Sequence, residues 1–444
     1  MARDDTSIRR RRYLKGAGAA GSLAISGLAG CTLGGGGDDG GDSGGDSDSG
    51  GDSGGDSDSS GDSGGDSGGD TTPLTIAATV PETGAFSSVG QDIMRGYELG
   101  VERMNENLDR EVELILRDDE SDAQTLREQL QAIVSNNDVN MIWGSFSSLL
   151  VTAGSAFAEN QGLPFLGIAF AYEEPHRNDN YEWTFAPFPK SRDVARSTLG
   201  NLELIPEADR PTNIGIWEPN SGWGAEQAQY WDDVLSEAGY DVVMREVFEL
   251  GSSDFSTLIS QAQSNEVEVL LSNPTPPGAI TSVNQMSDSN WAPKMLKFVR
   301  GADPTAWWSA LGQDGAYALM CPGWVPGLTG NGNTQLRESY MSAYDTENEY
   351  LPVLVGGSYN LTQTAEQAVA AAGSVTPEEV RDAMRDTEFS TVIGDFTFQE
   401  NGIPEGLTAP VGQWWDGAQR LAYPDTDAEQ SLDFKYPIPP WSER

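Results

Sequence analysis

Five residues, Gly144-Ser145-Phe146-Ser147-Ser148, join the end of an apolar run to the start of a helical periodicity. Backbone N–H groups at a helix N-terminus, backed by serine hydroxyls, can hold a carboxylate or another polar oxygen. The same serines can equally serve as a plain N-cap. Aromatic residues gather at comparable places: Phe86, Phe146, Phe170, Tyr172, Trp217 and Trp223. Such residues fill cores or form platforms for a solute. Trp223 lies in the polar, glycine-rich Asn220-Ser221-Gly222-Trp223-Gly224, where burial is less natural, which favours the second use. Asp118-Asp119-Glu120 could offer carboxylates to a metal, although capping a following helix is the commoner use of such acids. Catalysis has little to work with. The one histidine, His176, sits in a polar stretch without a nucleophile motif, and Cys321 has no evident base partner. No nucleophile elbow, P-loop or zinc motif occurs, so no enzyme, cofactor or metal is expected.

These residues have to be positioned by the elements around them. "LTIAATV" (74–80) reads as a buried strand, followed by Ile93, Tyr97, Val101 and Met104 at helical spacing. "EVELILR" (111–117) is a second strand, and Ala123, Leu126, Leu130 and Ile133 mark a second helix. "VNMIWG" (139–144) leads into a helix near Ser148–Asn160, and "PFLGIAF" (164–170) is a fourth strand. The pattern then stops and restarts at "TNIGIW" (212–217), with a helix burying Ala228, Trp231, Leu235 and Ala238. "YDVVMREVFEL" (240–250), "VEVLLS" (267–272), "MLKFVR" (295–300) and "AYALMC" (316–321) continue it, with helices near 254–264, 277–288 and 303–311. Leu361, Ala365, Ala368 and Ala372 mark a long helix; Thr376-Pro377-Glu378-Glu379 is a capping box for another; "DFTFQ" and "VGQWW" are short strands. Alternating strands and helices argue for βαβ units, and two series argue for two α/β lobes with parallel central sheets. Open parallel sheets bind at the carboxyl ends of their strands. Those ends are 79–90, 118–122, 144–148 and 169–172 in one lobe and 218–224, 273–277 and 300–303 in the other.

The amino terminus has a separate organisation. Arg9–Arg12 precede a charge-free run rich in Ala and Gly, Gly16–Gly30, too short and mild for a stable membrane span. Arg10-Arg11-Arg12-Tyr13-Leu14-Lys15 looks like a twin-arginine export signal, and Leu28-Ala29-Gly30-Cys31 resembles a lipobox in which Cys31 carries lipid. From Gly34 to Asp70 the chain is Gly, Asp and Ser, with "GGDSGGDSDS" repeated from Gly40 and from Gly50. With no apolar residue, this tract cannot offset the entropy of ordering. It lacks the recurring apolar residue that a calcium-binding β-roll needs, and so reads as a tether.

The chain carries 26 Lys and Arg against 69 Asp and Glu, a formal net charge of −43. The acid excess runs along the whole chain. A nucleic-acid partner is thereby excluded, since phosphate contacts need a basic surface. A dedicated basic partner is one reading of the charge. Adaptation to high salt, where screening relieves self-repulsion, suits its even spread better. With Cys321 the only cysteine besides Cys31, no disulfide framework is expected.

Taken in order, these segments resemble the type I periplasmic binding proteins of the leucine/isoleucine/valine-binding family, which serve ABC importers. "TVPETGAFSSVGQDIMRGYELGVERMN" is similar to that family's opening strand, glycine loop and first helix. "LRDDESDAQT" is similar to its second strand and acidic turn, "WGSFSSLLVTAGSAFAENQGLPFLGI" to its serine-bearing unit, and "STVIGDFTFQENGIPEG" to its carboxyl-terminal glycine signature. With its signal and acidity the chain resembles a haloarchaeal-type twin-arginine lipoprotein. The resemblance implies two Rossmann-like lobes hinged by three crossovers near 190, 324 and 400. Residues 1–30 would be the signal and 31–72 the lipidated cysteine and tether. Lobe 1 would take 73–190 and 325–400, and lobe 2 would take 191–324 and 401–444. It implies a small-molecule solute in the interlobe cleft, permease and ATPase subunits as partners, a membrane reached through the lipid anchor, and a place on the extracellular face. A ligand sensor serving a separate receptor is the alternative. The implied ligand contacts are Ser148 with Ser147, Ala169–Phe170–Ala171, Trp223, Thr275 and Asp303; Phe86, Val89 and Tyr359 are counted with them. The family's hydroxyl after the fourth strand is replaced by Ala171, and no acid falls squarely at the amine-pairing position. An amino acid, a carboxylate, an amide or urea, and an aromatic solute all remain open.

Overall fold

In the computed structural model, which describes residues 71–344, 351–424 and 434–444, the first strand, β1 (Leu74–Val80), buries six of its seven residues. A strand apolar on both faces needs cover on both faces, the signature of a parallel sheet between helices. β1 pairs in parallel with β2 (Val112–Asp118) and β3 (Met141–Trp143). β4 (Phe165–Leu166) and β5 (Thr184–Phe185) extend the sheet in the order β2-β1-β3-β4-β5. Between the strands run α1 (Ser87–Asn107), α2 (Ala123–Val134), α3 (Ser148–Gln161) and the short α4 (Glu174–Asn178). The strand expected over 164–170 is only Phe165–Leu166: Ala169 turns the chain out of the sheet with a φ of 52°.

The second sheet is larger. β6 (Asn213–Pro219), β7 (Asp241–Phe248), β8 (Val269–Ser272), β9 (Met295–Phe298) and β10 (Leu319–Met320) are parallel. They are interleaved with α6 (Gly222–Glu237), α7 (Ser256–Ser264), α8 (Pro276–Asp288) and α9 (Ala306–Leu311), and preceded by α5 (Ser191–Glu203). The remaining elements are α10 (Asn333–Tyr344), α11 (Val353–Ala372), α12 (Pro377–Asp386), β11 (Phe389–Thr391), β12 (Gly394–Phe398), β13 (Pro404–Glu405), β14 (Val411–Trp415) and β15 (Ala418–Tyr423). β14 and β15 form an antiparallel hairpin on the edge of the second sheet, so that sheet is mixed, in the order β15-β14-β10-β9-β8-β6-β7. The hairpin turns through Asp416 and Gly417, both at positive φ, as a tight two-residue turn requires.

Over the described residues the chain therefore passes between the sheets three times: after β5, after β10, and between β13 and β14. The middle pass brings α10 and α11 back to the first sheet. Helices α1 and α11 meet closely because Gly96 and Gly100 have no side chain; a Cβ on either would overlap Ser358 or Thr362. Arg103 of α1 spans the same contact, pairing with Glu366 at 2.8 Å over the Tyr359 ring.

Three described helices, the short α4 and the longer α5 and α10, escaped the hydrophobic pattern. The buried face of α5 includes Ser197, Thr198 and Asn201, so it does not read as apolar. Their donors are met inside: Ser197 Oγ donates to the Ala409 carbonyl at 2.5 Å and Asn201 Nδ2 to that of Ala422 at 3.1 Å. The capping box expected at Thr376 is not formed. Its hydroxyl accepts instead from Ser374 Oγ at 3.0 Å, although the helix does begin at Pro377. The expected signal segment, Cys31 and nearly all of the tether lie outside the described residues.

Candidate functional site

The carboxyl ends of β1, β3 and β4 face those of β6, β7, β8 and β9 across a cavity of about 520 Å³. The first sheet contributes Phe86, the loop and first turns of α3, Ala169 and Tyr172. The second contributes Ser221–Trp223, Leu250, Asn273–Pro276 and Arg300.

The serine loop resolves into two roles. Ser147 Oγ accepts from the Leu150 N–H at 3.4 Å and so caps α3. Ser148, the first helical residue, is left lining the cavity. The left-handed backbone of Ser147, at φ 84°, and of Ala169, at 52°, places two strained non-glycine residues on the cavity wall. Such backbone strain costs roughly 1–3 kcal/mol and clusters at ligand sites. Phe86 and Phe146 meet edge to face at 5.6 Å, and Trp223 donates its indole N–H to Ser191 Oγ at 3.2 Å. Thr275 caps α8 from the opposite side, accepting from Gly278 N–H at 3.3 Å.

Six expected contacts thus come together on the cavity: Phe86, Ser147, Ser148, Ala169, Trp223 and Thr275. Five do not. Val89 and Tyr359 are buried in the core shared by α1 and α11. The Phe170 carbonyl is taken by Lys190 Nζ at 2.8 Å, and that of Ala171 by the Ser191 hydroxyl at 3.1 Å. Asp303 is fully buried beside Arg300, Nε to Oδ2 2.9 Å, and is not on the wall. The acidic turn is structural: Asp118 accepts from Glu82 and Thr83 N–H, and Asp122 caps α2. Among the described residues, no cluster of His, Cys, Asp and Glu is suited to a metal.

The sequence reading missed Arg127, Leu149, Thr152 and Leu250; Asn273 and Arg300 fell within the expected strand ends 273–277 and 300–303 without being singled out as contacts. Leu149, Thr152, Ala153 and Ala156 follow one helical face of α3, a spacing that looks like core. Yet Leu149 is 62% exposed, so that stripe faces the cavity, not the sheet.

Charge on the wall runs against the chain's bias. Among the described residues, the ionisable side chains there are Arg127, Arg300 and the Tyr172 phenol, with no carboxylate. Arg300 lies over the rings of Phe146, at 5.0 Å, and Phe188, at 5.4 Å. Burial lowers the Arg300 pKa and pushes the Asp303 carboxyl up to about 7 against the pull of Arg300. Burial also pushes the Asp119 carboxyl, behind the serine loop, up to about 6.

Beneath the wall, His176 Nδ1 donates to the Asn401 carbonyl at 2.7 Å, which leaves Nε2 to accept from Lys190 Nζ at 3.0 Å. Burial, then the Lys190 charge, depress the imidazole well below its ordinary value; burial brings Lys190 down to about 7. A lysine whose pKa falls on folding destabilises the fold while it is charged. Between pH 7 and 9 the unfolded chain keeps a proton that the folded chain sheds, so the free energy of unfolding rises with pH. We expect a rise of about 1–3 kcal/mol by denaturant titration at constant molar salt, much reduced in Lys190→Met. Lys297, brought down by burial to about 8, adds to the rise in wild type and variant alike.

A family model for periplasmic binding proteins matches residues 73–417. Among curated relatives, the Leu/Ile/Val-binding protein homolog 7 of Brucella abortus (strain 2308) is 23% identical over 374 residues, covering 80% of this chain and 92% of that protein. Among solved structures, the leucine binding protein LivK of Thermotoga maritima MSB8 superposes with a TM-score of 0.69 at 18% identity, over 78% of this chain and 97% of that one. An ABC transporter solute-binding protein of R. palustris in complex with benzoate gives 0.67 at 17% identity, over 79% and 95%. The two sheets, the three passes between them and a family match over most of the sequence identify this chain as a member of the periplasmic binding protein family, with the type I fold.

Proposed function

We propose that this protein is the extracytoplasmic substrate-binding component of an ABC importer, taking a small polar solute into the cavity between its two sheets. The observation that carries the reading is the cavity's place, at the strand carboxyl ends of both sheets at once. A solute touching both walls favours the closed arrangement over the open one, which is how binding energy becomes a shape that a permease can recognise. In this reading lobe 1 comprises 73–190 and 325–400, and lobe 2 comprises 191–324 and 401–444. Phe86, Ser147, Ser148, Ala169, Trp223 and Thr275 are ligand contacts. Relatives named as binding leucine, isoleucine or benzoate support solutes of that size.

The amino-terminal motifs extend the proposal. The twin-arginine segment exports the folded chain, Cys31 anchors it by lipid, and the Gly/Asp/Ser tract tethers the lobes at the outer face of the membrane. The acid excess adapts the surface to high salt. A thermal-shift screen in molar salt with amino acids, carboxylates, amides and urea tests the reading, since a ligand raises apparent stability by mass action. Ser148→Ala should weaken binding of the best solute by roughly 1–3 kcal/mol in calorimetry through a lost hydrogen bond. Unchanged affinity would remove Ser148 from the site. A screen in which no solute stabilises the protein would remove the function.

A further inference from the structure

The second-sheet side of the cavity holds two buried polar side chains with unmet hydrogen bonds. Arg300 is 5% exposed, and none of its three guanidinium nitrogens has an aligned hydrogen-bond partner among the described residues. Its Nε lies 2.9 Å from Asp303 Oδ2, an ion pair by distance whose geometry satisfies neither group. Asn273, 3% exposed, leaves both its amide nitrogen and its amide oxygen unpartnered among the same residues. Both residues line the cavity. Buried donors are rarely left unpaired, because desolvation without a partner is costly. A guanidinium is a planar fork, here held with its Cζ 5.0 and 5.4 Å from the centres of two rings, and a carboxylate is its geometric complement.

The rest of the wall says what the carboxylate is attached to. An ammonium group would need a carboxylate facing it, and among the described residues no Asp or Glu lines the cavity, in a chain with 69 of them. Asp303, the acid nearest such a position, is turned away to Arg300. The apolar wall is broad: Phe86, Phe146, Leu149, Trp223 and Leu250.

We propose that the solute is a small carboxylate with an apolar, branched or aromatic body and no charged amine. Its carboxylate is received by the Arg300 fork and the Asn273 amide. This inference rests on the solute-binding reading and narrows it. Arg300 and Asn273 become specificity-determining residues, with Asp303 positioning the Arg300 fork.

The test uses the exported chain in molar salt and two pairs of probes in calorimetry. Benzoate is set against benzamide, and 4-methylpentanoate against leucine, which is the same body bearing an ammonium. We expect each carboxylate without an amine to bind at least about tenfold more tightly than its counterpart. Arg300→Met should weaken benzoate and 4-methylpentanoate binding by roughly 30-fold or more while changing benzamide binding by less than about threefold. The double variant Arg300→Met/Asp303→Asn, with circular dichroism as a fold check, repeats the comparison without an uncompensated buried acid. Leucine binding more tightly than 4-methylpentanoate, or carboxylate affinity unchanged in a folded Arg300 variant, overturns the proposal. Should a wider panel yield only neutral or cationic ligands, the inference falls and the solute-binding reading stands. If no solute of any class stabilises the protein, both fall.

Discussion

Replacing Thr198 by valine, a change of almost no volume, should cost about 3–5 kcal/mol of stability. Thr198 Oγ1 sits inside the second lobe with all its bonds made. It accepts from Trp231 Nε1 at 3.0 Å and from Lys297 Nζ at 2.9 Å, and donates to the Val194 carbonyl at 2.9 Å. Lys297 and Trp231 are both buried, so neither can turn to water. Valine would leave a buried ammonium and a buried indole without that acceptor. Thr198→Ser keeps the oxygen and should cost only about 1 kcal/mol for the lost methyl. Because burial has already brought Lys297 down to about 8, the valine penalty should shrink at pH 9.5, where the amine is neutral in the folded state. Urea titrations of the three proteins at pH 7 and 9.5 would show it. A valine cost below that of serine, or one indifferent to pH, would mean that the hydroxyl is not what holds the lysine.

Gly402→Val should be at least as damaging, at roughly 3–6 kcal/mol. Gly402 has a φ of 75°, a conformation that β-branched residues resist, and a Cβ there would overlap the Thr184 carbonyl. The obstacle is backbone on both sides, so no rotamer relieves it. The contact also joins two passages between the sheets: Ala186 N–H donates to the Gly402 carbonyl at 3.2 Å, and the neighbouring Asn401 carbonyl receives His176. Gly373 supplies the control. Its φ of 63° is similarly left-handed, but nothing lies within 4 Å of the place an alanine methyl would occupy, so Gly373→Ala should cost only about 1–2 kcal/mol. Thermal unfolding of both variants separates conformational strain from collision. Equal losses would show that collision with Thr184 contributes nothing.

Legibility in the sequence followed the physics of each element. β1 and the long α11 were plain because burial on both faces leaves an apolar run or a sustained period. The α5 helix was not, because its inward Ser197 and Asn201 donate to the carbonyls of Ala409 and Ala422, far off in the sequence, which no local pattern announces. The same division holds in the cavity. Ser148, Trp223 and Thr275 sit just past strand ends, where the α/β topology itself predicts contact. Arg300 and Asn273 also follow strands, yet their unmet bonds appear only when both lobes are in place. Asp303 shows the reverse. Its position in sequence suggested an amine partner, but one turn of chain carries it into the arginine and off the wall.

Trp223 has a practical consequence. Its indole is tied to Ser191 while its ring faces the space where a guest would lie. A guest displacing water from that face changes the polarity around a chromophore that cannot swing away. Emission from this side chain, separable from the other indoles by a Trp223→Phe difference spectrum, therefore gives the molecule a native optical gauge of occupancy, with no dye attached.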